Sequence, residues 1–155
     1  SKPYIKTNQT KGMKTTLGID PGVNGGIAWI TGGKPCAEKM PDTLQDLWEL
    51  LRDIEISSEE YCHAYLEQVH SSPQMGVVSA FTFGNGFGHL EMALTAAGIP
   101  FTRVRPQVWQ KELGCLTKGD KNISKRKAQE LFPSMKVTHA TADSLLIATY
   151  GTRQH

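Results

Sequence analysis

Three acidic residues stand where predicted strands or helices begin or end, and they are the first candidates for chemistry. Asp20 closes the apolar segment KTTLGID and precedes a Pro-Gly turn. Glu67 lies near the end of the apolar segment YCHAYLEQV, and Asp143 falls in the first turn of the apolar run DSLLIA. A single acid in any of these places is more often a helix cap or a surface residue. Three of them in one small domain weaken that explanation for the set.

Clustered carboxylates are hard oxygen ligands that suit Mg²⁺ or Mn²⁺. Two such ions a few ångström apart stabilise both the attacking and the leaving oxygen of phosphodiester cleavage. We therefore expect Asp20, Glu67 and Asp143 to hold Mg²⁺, with Mn²⁺ as a substitute and two ions per active site. Without a cation the cluster should be strained, and the pKa of at least one carboxyl group should rise.

His139 is a candidate fourth member of this set. It lies four residues before Asp143, and on a helix that spacing puts both side chains on one face. If the helix begins near residue 139, His139 can supply a nitrogen ligand to the same cation or transfer a proton. The alternative is a histidine that caps the helix start and has no catalytic role.

The chain carries a net charge of only +2, but its basic residues are concentrated between residues 103 and 127. The predicted DNA contacts within that stretch are Lys118, Lys121, Lys125 and Arg126. Such side chains neutralise phosphates and make binding sensitive to salt. One of these lysines can also stabilise charge on the reacting phosphate, although spacing does not identify which. A solvated basic surface is the alternative.

An aromatic and glycine-rich segment separates Glu67 from the basic region. It holds Phe81, Phe83 and Phe87, which alternate with Gly84, Gly86 and Gly88. These rings can stack on bases, but we favour a place in the core or in a dimer seam. We expect Trp109, further along the chain, to pack in the core.

The elements that must position these residues follow from turn signals and hydrophobic periodicity. Three strands over 14–20, 26–31 and 34–40 are predicted to form an antiparallel meander, and two further strands are predicted over 61–69 and 100–105. The predicted helices cover 43–54, 77–97 with a break near Gly84–Gly88, 106–113, a segment capped by Ser124 and ending at Phe132, and 139–150. This alternation predicts an α/β fold, a mixed five-stranded sheet with helices on both faces.

The length of 155 residues predicts one domain, over 14–155, with residues 1–13 as an N-terminal tail. Three cysteines and no CxxC motif indicate a reducing compartment, so we expect a cytoplasmic protein. No apolar run approaches the roughly 20 residues that span a membrane, and no signal-peptide pattern is present. We therefore expect neither a membrane partner nor an organic cofactor.

Four segments together resemble the RuvC family of Holliday-junction resolvases, within the RNase H-like superfamily. They occur in the family's order and cover about residues 14–151, and the pattern is closest to the phage and plastid types. The segments are LGIDPGVNGGIAW at 17–29, YLEQVH at 65–70, FGNGFGHLEMALTAAGIPFTRVRPQVWQKELG at 83–114 and HATADSLLIATYG at 139–151.

The resemblance implies an RNase H-like fold and a homodimer that cuts two opposed strands of a four-way DNA junction. The cuts would be symmetric and metal-dependent, and would leave 5′-phosphate and 3′-hydroxyl ends. The family's fourth ligand often stands three residues before the last Asp, a position held here by Ala140, whereas His139 lies one residue earlier. His70 stands where some relatives carry an aromatic wedge, which implies a DNA contact there. A phage's host cytoplasm or an organelle are further locations that the resemblance implies.

Three other functions compete with junction resolution. A nuclease of this fold can act on other branched DNA or on structured RNA. A non-catalytic junction-binding module is less favoured, because a binder does not need acids near phosphates. The segment GIDPGVNGG is also similar to the phosphate loop of sugar kinases and actin-like ATPases, but a second lobe and a second phosphate loop are absent from these 155 residues.

Overall fold

The computed structural model describes residues 13–69 and 72–154, so the predicted tail lies almost entirely outside the described residues. The strands are β1 (Lys14–Asp20), β2 (Gly26–Thr31), β3 (Lys34–Lys39), β4 (Tyr61–Glu67) and β5 (Phe101–Val104). The helices are α1 (Leu44–Ser57), α2 (Val77–Ala97), α3 (Pro106–Glu112), α4 (Lys121–Leu131) and α5 (His139–Thr152). None of the helices in these two ranges is both long and apolar enough to cross a membrane.

The strands form one five-stranded sheet in the order β3-β2-β1-β4-β5. Strands β1, β2 and β3 pair antiparallel through short turns, whereas β4 is parallel to β1 and β5 is parallel to β4. The predicted α/β fold, with an antiparallel meander extended by parallel strands, is therefore confirmed.

Helices cover both faces of the sheet, as predicted, and each face has its own hydrophobic core. Successive side chains of a strand point to opposite faces, so β1 contributes to both. Leu17 and Ile19 pack with α1 and α2 on one face. On the other face, Tyr65 packs with residues of α3, α4 and α5. Asp20 and Glu67 have the strand parity of Gly18 and Tyr65, which places both acids on the α5 face.

Two local predictions were wrong. Helix α2 runs unbroken through its three glycines, since each costs only about 1 kcal/mol in a helix and Leu90 and Leu94 anchor the following turns in the core. Helix α4 begins at Lys121 and not near Ser124, because the Asp120 side chain accepts the Asn122 N–H and provides the cap. Ser124 therefore lies inside the helix, where it is buried.

Helix α5 lies directly on the backbone of the sheet, and glycines make this approach possible. A Cβ atom on Gly18 of β1 would overlap the backbone of Ser144 and Ala148. A Cβ on Gly26 of β2 would overlap the carbonyl oxygen of Ala140. Gly26 is the antiparallel partner of Asp20, so the start of α5 is held over the end of β1 that carries the acid.

We predict that Gly18→Ala lowers the free energy of unfolding by about 1–3 kcal/mol or more, because the new methyl group meets backbone atoms that cannot rotate away. Urea unfolding monitored by circular dichroism would measure the change. Gly88→Ala is the matched control, since open space surrounds that position in α2. Alanine is the better helix former, so the control should be neutral or stabilising by up to about 1 kcal/mol. Equal losses in the two variants would contradict this account of how α5 docks.

Candidate active site

Asp20 and Glu67 end two neighbouring parallel strands. The register between β1 and β4 pairs Ile19 with Leu66, so the two acids occupy the next position on each strand. Their side chains project from the same face of the sheet at the same edge. Glu67 is buried, with 7% of its surface exposed, and Asp20 is half-buried.

Asp143 reaches this edge from α5. A capping box fixes the start of that helix: the Thr138 side chain accepts the Thr141 N–H, and the Thr141 hydroxyl accepts the Thr138 N–H. The helix begins at His139, so Asp143 lies just past the first turn and not within it. Because α5 rests on β1, the half-buried Asp143 is held near the two strand acids.

The three carboxyl groups interact electrostatically. Burial, together with the charges of Glu67 and Asp143, raises the pKa of Asp20 from 3.8 to about 8. Burial, together with the charge of Asp143, raises the pKa of Glu67 from 4.5 to about 7, against the opposing effect of a hydrogen bond from Trp109. Burial also raises the pKa of Asp143. The expected strain of a cation-free carboxylate cluster is therefore present.

Three groups partly offset this strain. The Trp109 indole Nε1–H donates to Glu67 Oε2 at 2.6 Å in a fully buried contact. A hydrogen bond from Ser124 lowers the pKa of Asp143. The positive charge of Lys121 lowers the pKa values of Asp20 and Asp143.

The donor set suits a hard divalent cation, because it consists of carboxylate oxygens that positive charge would keep ionised. Across 13–69 and 72–154, however, no three His, Cys, Asp or Glu side chains are already arranged as ligands of one ion. Buried like charges repel, and Trp109 and Ser124 hold two of the carboxylates by hydrogen bonds. The metal roles of Asp20, Glu67 and Asp143 therefore stay predictions that fit the chemistry of the site.

The histidine predictions have separate outcomes. His139 is exposed at the first position of α5, one helical turn before Asp143, as the spacing predicted. Its role as a ligand or in proton transfer stays a prediction. His70 lies outside the described residues.

The structure separates the basic candidates that spacing could not separate. Lys121, at the start of α4, is the one whose charge acts on the carboxylates. Lys118 is exposed in the loop before α4, with a left-handed backbone φ of 47°. Arg126 borders a small groove against Gly114 and Cys115. The DNA-contact roles of Lys118, Lys121, Lys125 and Arg126 stay predictions.

Two contacts at this site were not predicted from the sequence. Trp109 does pack in the core, as predicted, but its indole also contacts Glu67. The available signal was chemical, since a buried indole N–H needs an acceptor. Ser124 was assigned as a helix cap, and no pattern in the sequence pointed to Asp143 as its partner.

Comparisons with known proteins identify the fold. Neither a protein-family model nor a curated protein matches the sequence. A solved structure of Thermus thermophilus RuvC aligns with a TM-score of 0.60 at 16% identity, over 90% of this chain and 96% of that one. T. thermophilus RuvC in complex with a Holliday junction substrate aligns with a TM-score of 0.61 at 16% identity, over 91% and 96% of the two chains. The chain therefore has the fold of RuvC across nearly its whole described length.

We predict that the cation-free protein loses stability as the pH rises. The folded-state pKa values of Asp20 and Glu67 lie above their ordinary values, so the folded chain binds more protons than the unfolded chain between about pH 4 and pH 8. The free energy of unfolding is therefore highest below the ordinary pKa values of these acids. It falls as the pH rises, until both acids are ionised above about pH 7 to 8. Urea unfolding in a chelator across this range would measure the slope.

Asp20→Asn should make that slope shallower and raise the free energy of unfolding at pH 8 by about 1 kcal/mol or more. Mg²⁺ added at pH 8 should stabilise the wild-type chain more than this variant, because a ligand that binds the folded state stabilises it. A wild-type stability that is flat or rises with pH would contradict the raised pKa values of the buried acids.

Proposed function

We propose that this chain is a RuvC-like, structure-selective endodeoxyribonuclease that resolves four-way DNA junctions by divalent-cation-dependent phosphodiester hydrolysis. The observation that carries the proposal is the convergence of Asp20, Glu67 and Asp143 at one edge of a sheet with the RuvC fold. A non-catalytic binder would gain nothing from acids whose burial opposes their ionisation.

The proposed reaction is an in-line attack of water on phosphorus. The bond between phosphorus and the 3′ oxygen breaks, and that oxygen takes a proton, so the ends are a 5′-phosphate and a 3′-hydroxyl. Bound Mg²⁺ or Mn²⁺ would supply Lewis-acid stabilisation of the attacking and leaving oxygens. Asp20, Glu67 and Asp143 would hold the cations, and His139 would add a ligand or accept a proton.

Lys121 contributes a positive charge from the protein. Its position beside Asp20 and Asp143 puts that charge where a scissile phosphate must approach the carboxylates. A fixed cation there stabilises negative charge that develops during cleavage. We therefore assign to Lys121 the role of the active-site lysine among the three candidates.

A four-way junction is the proposed substrate. T. thermophilus RuvC has been solved in complex with a Holliday junction substrate, and this chain shares its fold. Lys118 and Arg126, which are exposed on and near α4, would contact phosphates on the arms beside the active site. Other branched DNA or structured RNA is the competing substrate class, because the carboxylates themselves do not select a branch geometry.

The proposed assembly is a homodimer formed through α2. Residues 77–90 contain no Asp, Glu, Lys or Arg. The side chains of Val77, Val78 and Phe81 are 86%, 80% and 75% exposed. Contiguous exposed apolar surface of this kind marks an interaction site. Two copies joined there would carry two active sites, as symmetric cleavage of opposed strands requires.

We predict that Asp143→Asn binds a four-way junction but does not cleave it, because the amide keeps the shape of the site and loses the charge. Cleavage would be measured at fixed salt on a four-way junction, a flap, a fork, plain duplex and an RNA–DNA hybrid, with Mg²⁺ or with a chelator. The wild-type chain should cut the junction preferentially and only with the cation. Binding would be measured by gel shift in Ca²⁺.

Lys121→Met in the same assay should slow cleavage more than it weakens binding. Lys34→Met is its matched control, since Lys34 pairs with Thr31 at the other end of the meander from Asp20. Preferred cleavage of a flap or of the hybrid would favour the competing substrate class. Cleavage that persists in the chelator would exclude the cation mechanism.

We predict that Phe81→Asp converts a dimer to a monomer, because a charge placed in an apolar interface is strongly disfavoured. Sedimentation velocity over a concentration series would report the state. Leu116→Asp is the control: Leu116 is also exposed, at 49%, but lies outside α2 on the loop before α4. A wild-type chain that sediments as a monomer at all concentrations would contradict the proposed assembly.

A further inference from the structure

Trp109 stands out among the buried residues that the proposed chemistry does not use. Among the described residues it is the largest side chain that is fully buried, with 0% of its surface exposed. It lies in the core that α5 helps to form. Its only polar atom, Nε1, donates to Glu67 Oε2. The largest buried side chain on this face of the sheet therefore ends on one of the proposed cation ligands.

The chain builds this contact locally. Glu67 pairs with Val104 in the sheet, and the Gln68 N–H donates to the Val104 carbonyl just beyond the pair. Pro106 then starts α3 two residues after Val104, with its fixed φ suited to a first helical position. Trp109 follows within one turn, so the helix returns the indole over the end of β4.

A hydrogen bond to an ionised carboxylate is among the stronger ones in proteins. It is also directional, and the enclosed indole cannot move away, because close-packed neighbours surround it. The contact engages Oε2 of Glu67, so Oε1 is the oxygen that a cation would bind. It therefore selects both the orientation of the carboxylate and the oxygen that it presents.

We propose that Trp109 is a positioning residue, which fixes Glu67 by its indole N–H so that Oε1 faces a bound divalent cation. This inference rests on the cation-binding part of the proposed function and is independent of which nucleic acid is cut. Outer partners that orient a metal ligand commonly contribute 10- to 100-fold to metal affinity. If Trp109 only filled space in the core, replacing it would lower the stability of the fold and leave the cation affinity unchanged.

Cation binding itself is the test. Mn²⁺ affinity would be measured by the electron paramagnetic resonance signal of the free ion, for the wild-type chain, Trp109→Phe and Trp48→Phe. Trp48 lies on α1, which packs on the opposite face of the sheet, and is the matched control. Phenylalanine keeps an aromatic ring in the core and removes the indole N–H together with part of the side-chain volume. Asp20→Asn identifies the part of the binding that belongs to this site.

Trp109→Phe should bind Mn²⁺ about 10- to 100-fold more weakly, whereas Trp48→Phe should match the wild-type chain. A folded Trp109→Phe with wild-type Mn²⁺ affinity would overturn the proposal. If wild-type Mn²⁺ binding is insensitive to Asp20→Asn, both this proposal and the cation mechanism fail. If the chain binds Mn²⁺ as expected but cuts no junction, only the proposed substrate fails.

A second measurement does not require a variant to fold. In the wild-type chain, the indole ¹H–¹⁵N resonance of Trp109 should shift when Mg²⁺ binds and should broaden with Mn²⁺ before that of Trp48. Glu67→Gln should also move it, because a neutral amide oxygen replaces the charged acceptor. A Trp109 resonance that responds to neither cation would overturn the proposal.

Discussion

The dominant constraint in this structure is the crowding of three carboxyl groups at the end of two parallel strands. Burial raises the pKa values of Asp20, Glu67 and Asp143, and the charges of neighbouring carboxylates contribute to the rise for Asp20 and Glu67. Ionising the three acids therefore costs the folded chain stability. Lys121 and two hydrogen-bond donors offset only part of that cost. The remaining deficit of positive charge is one that a bound divalent cation would offset.

Close backbone packing makes the crowding possible. Asp143 is far from Asp20 in sequence, and it arrives only because α5 rests on the sheet without intervening side chains at Gly18 and Gly26. Protein interiors do not deform continuously, so a methyl group at such a contact displaces the helix. The glycines of β1 and β2 are therefore part of the site, although they take no part in its chemistry.

The two faces of the sheet have different roles in the proposed function. On one face, α3, α4 and α5 supply Trp109, Lys121 and Asp143 to the strand acids. On the other, α1 and α2 close the second core, and α2 presents the exposed apolar surface of Val77 and Phe81.

The sequence alone determined the order of strands and helices, the mixed sheet and the placement of Asp20 and Glu67 at strand ends, because these follow from local periodicity and turn residues. It misjudged the glycines of α2 and the start of α4, where helix packing and the Asp120 cap outweighed local signals. The action of Lys121 on the acids, and the hydrogen bonds from Trp109 and Ser124 to two of them, became visible only in the folded chain. Those contacts join residues distant in sequence, and spacing along a chain carries no information about which distant side chains packing will bring together.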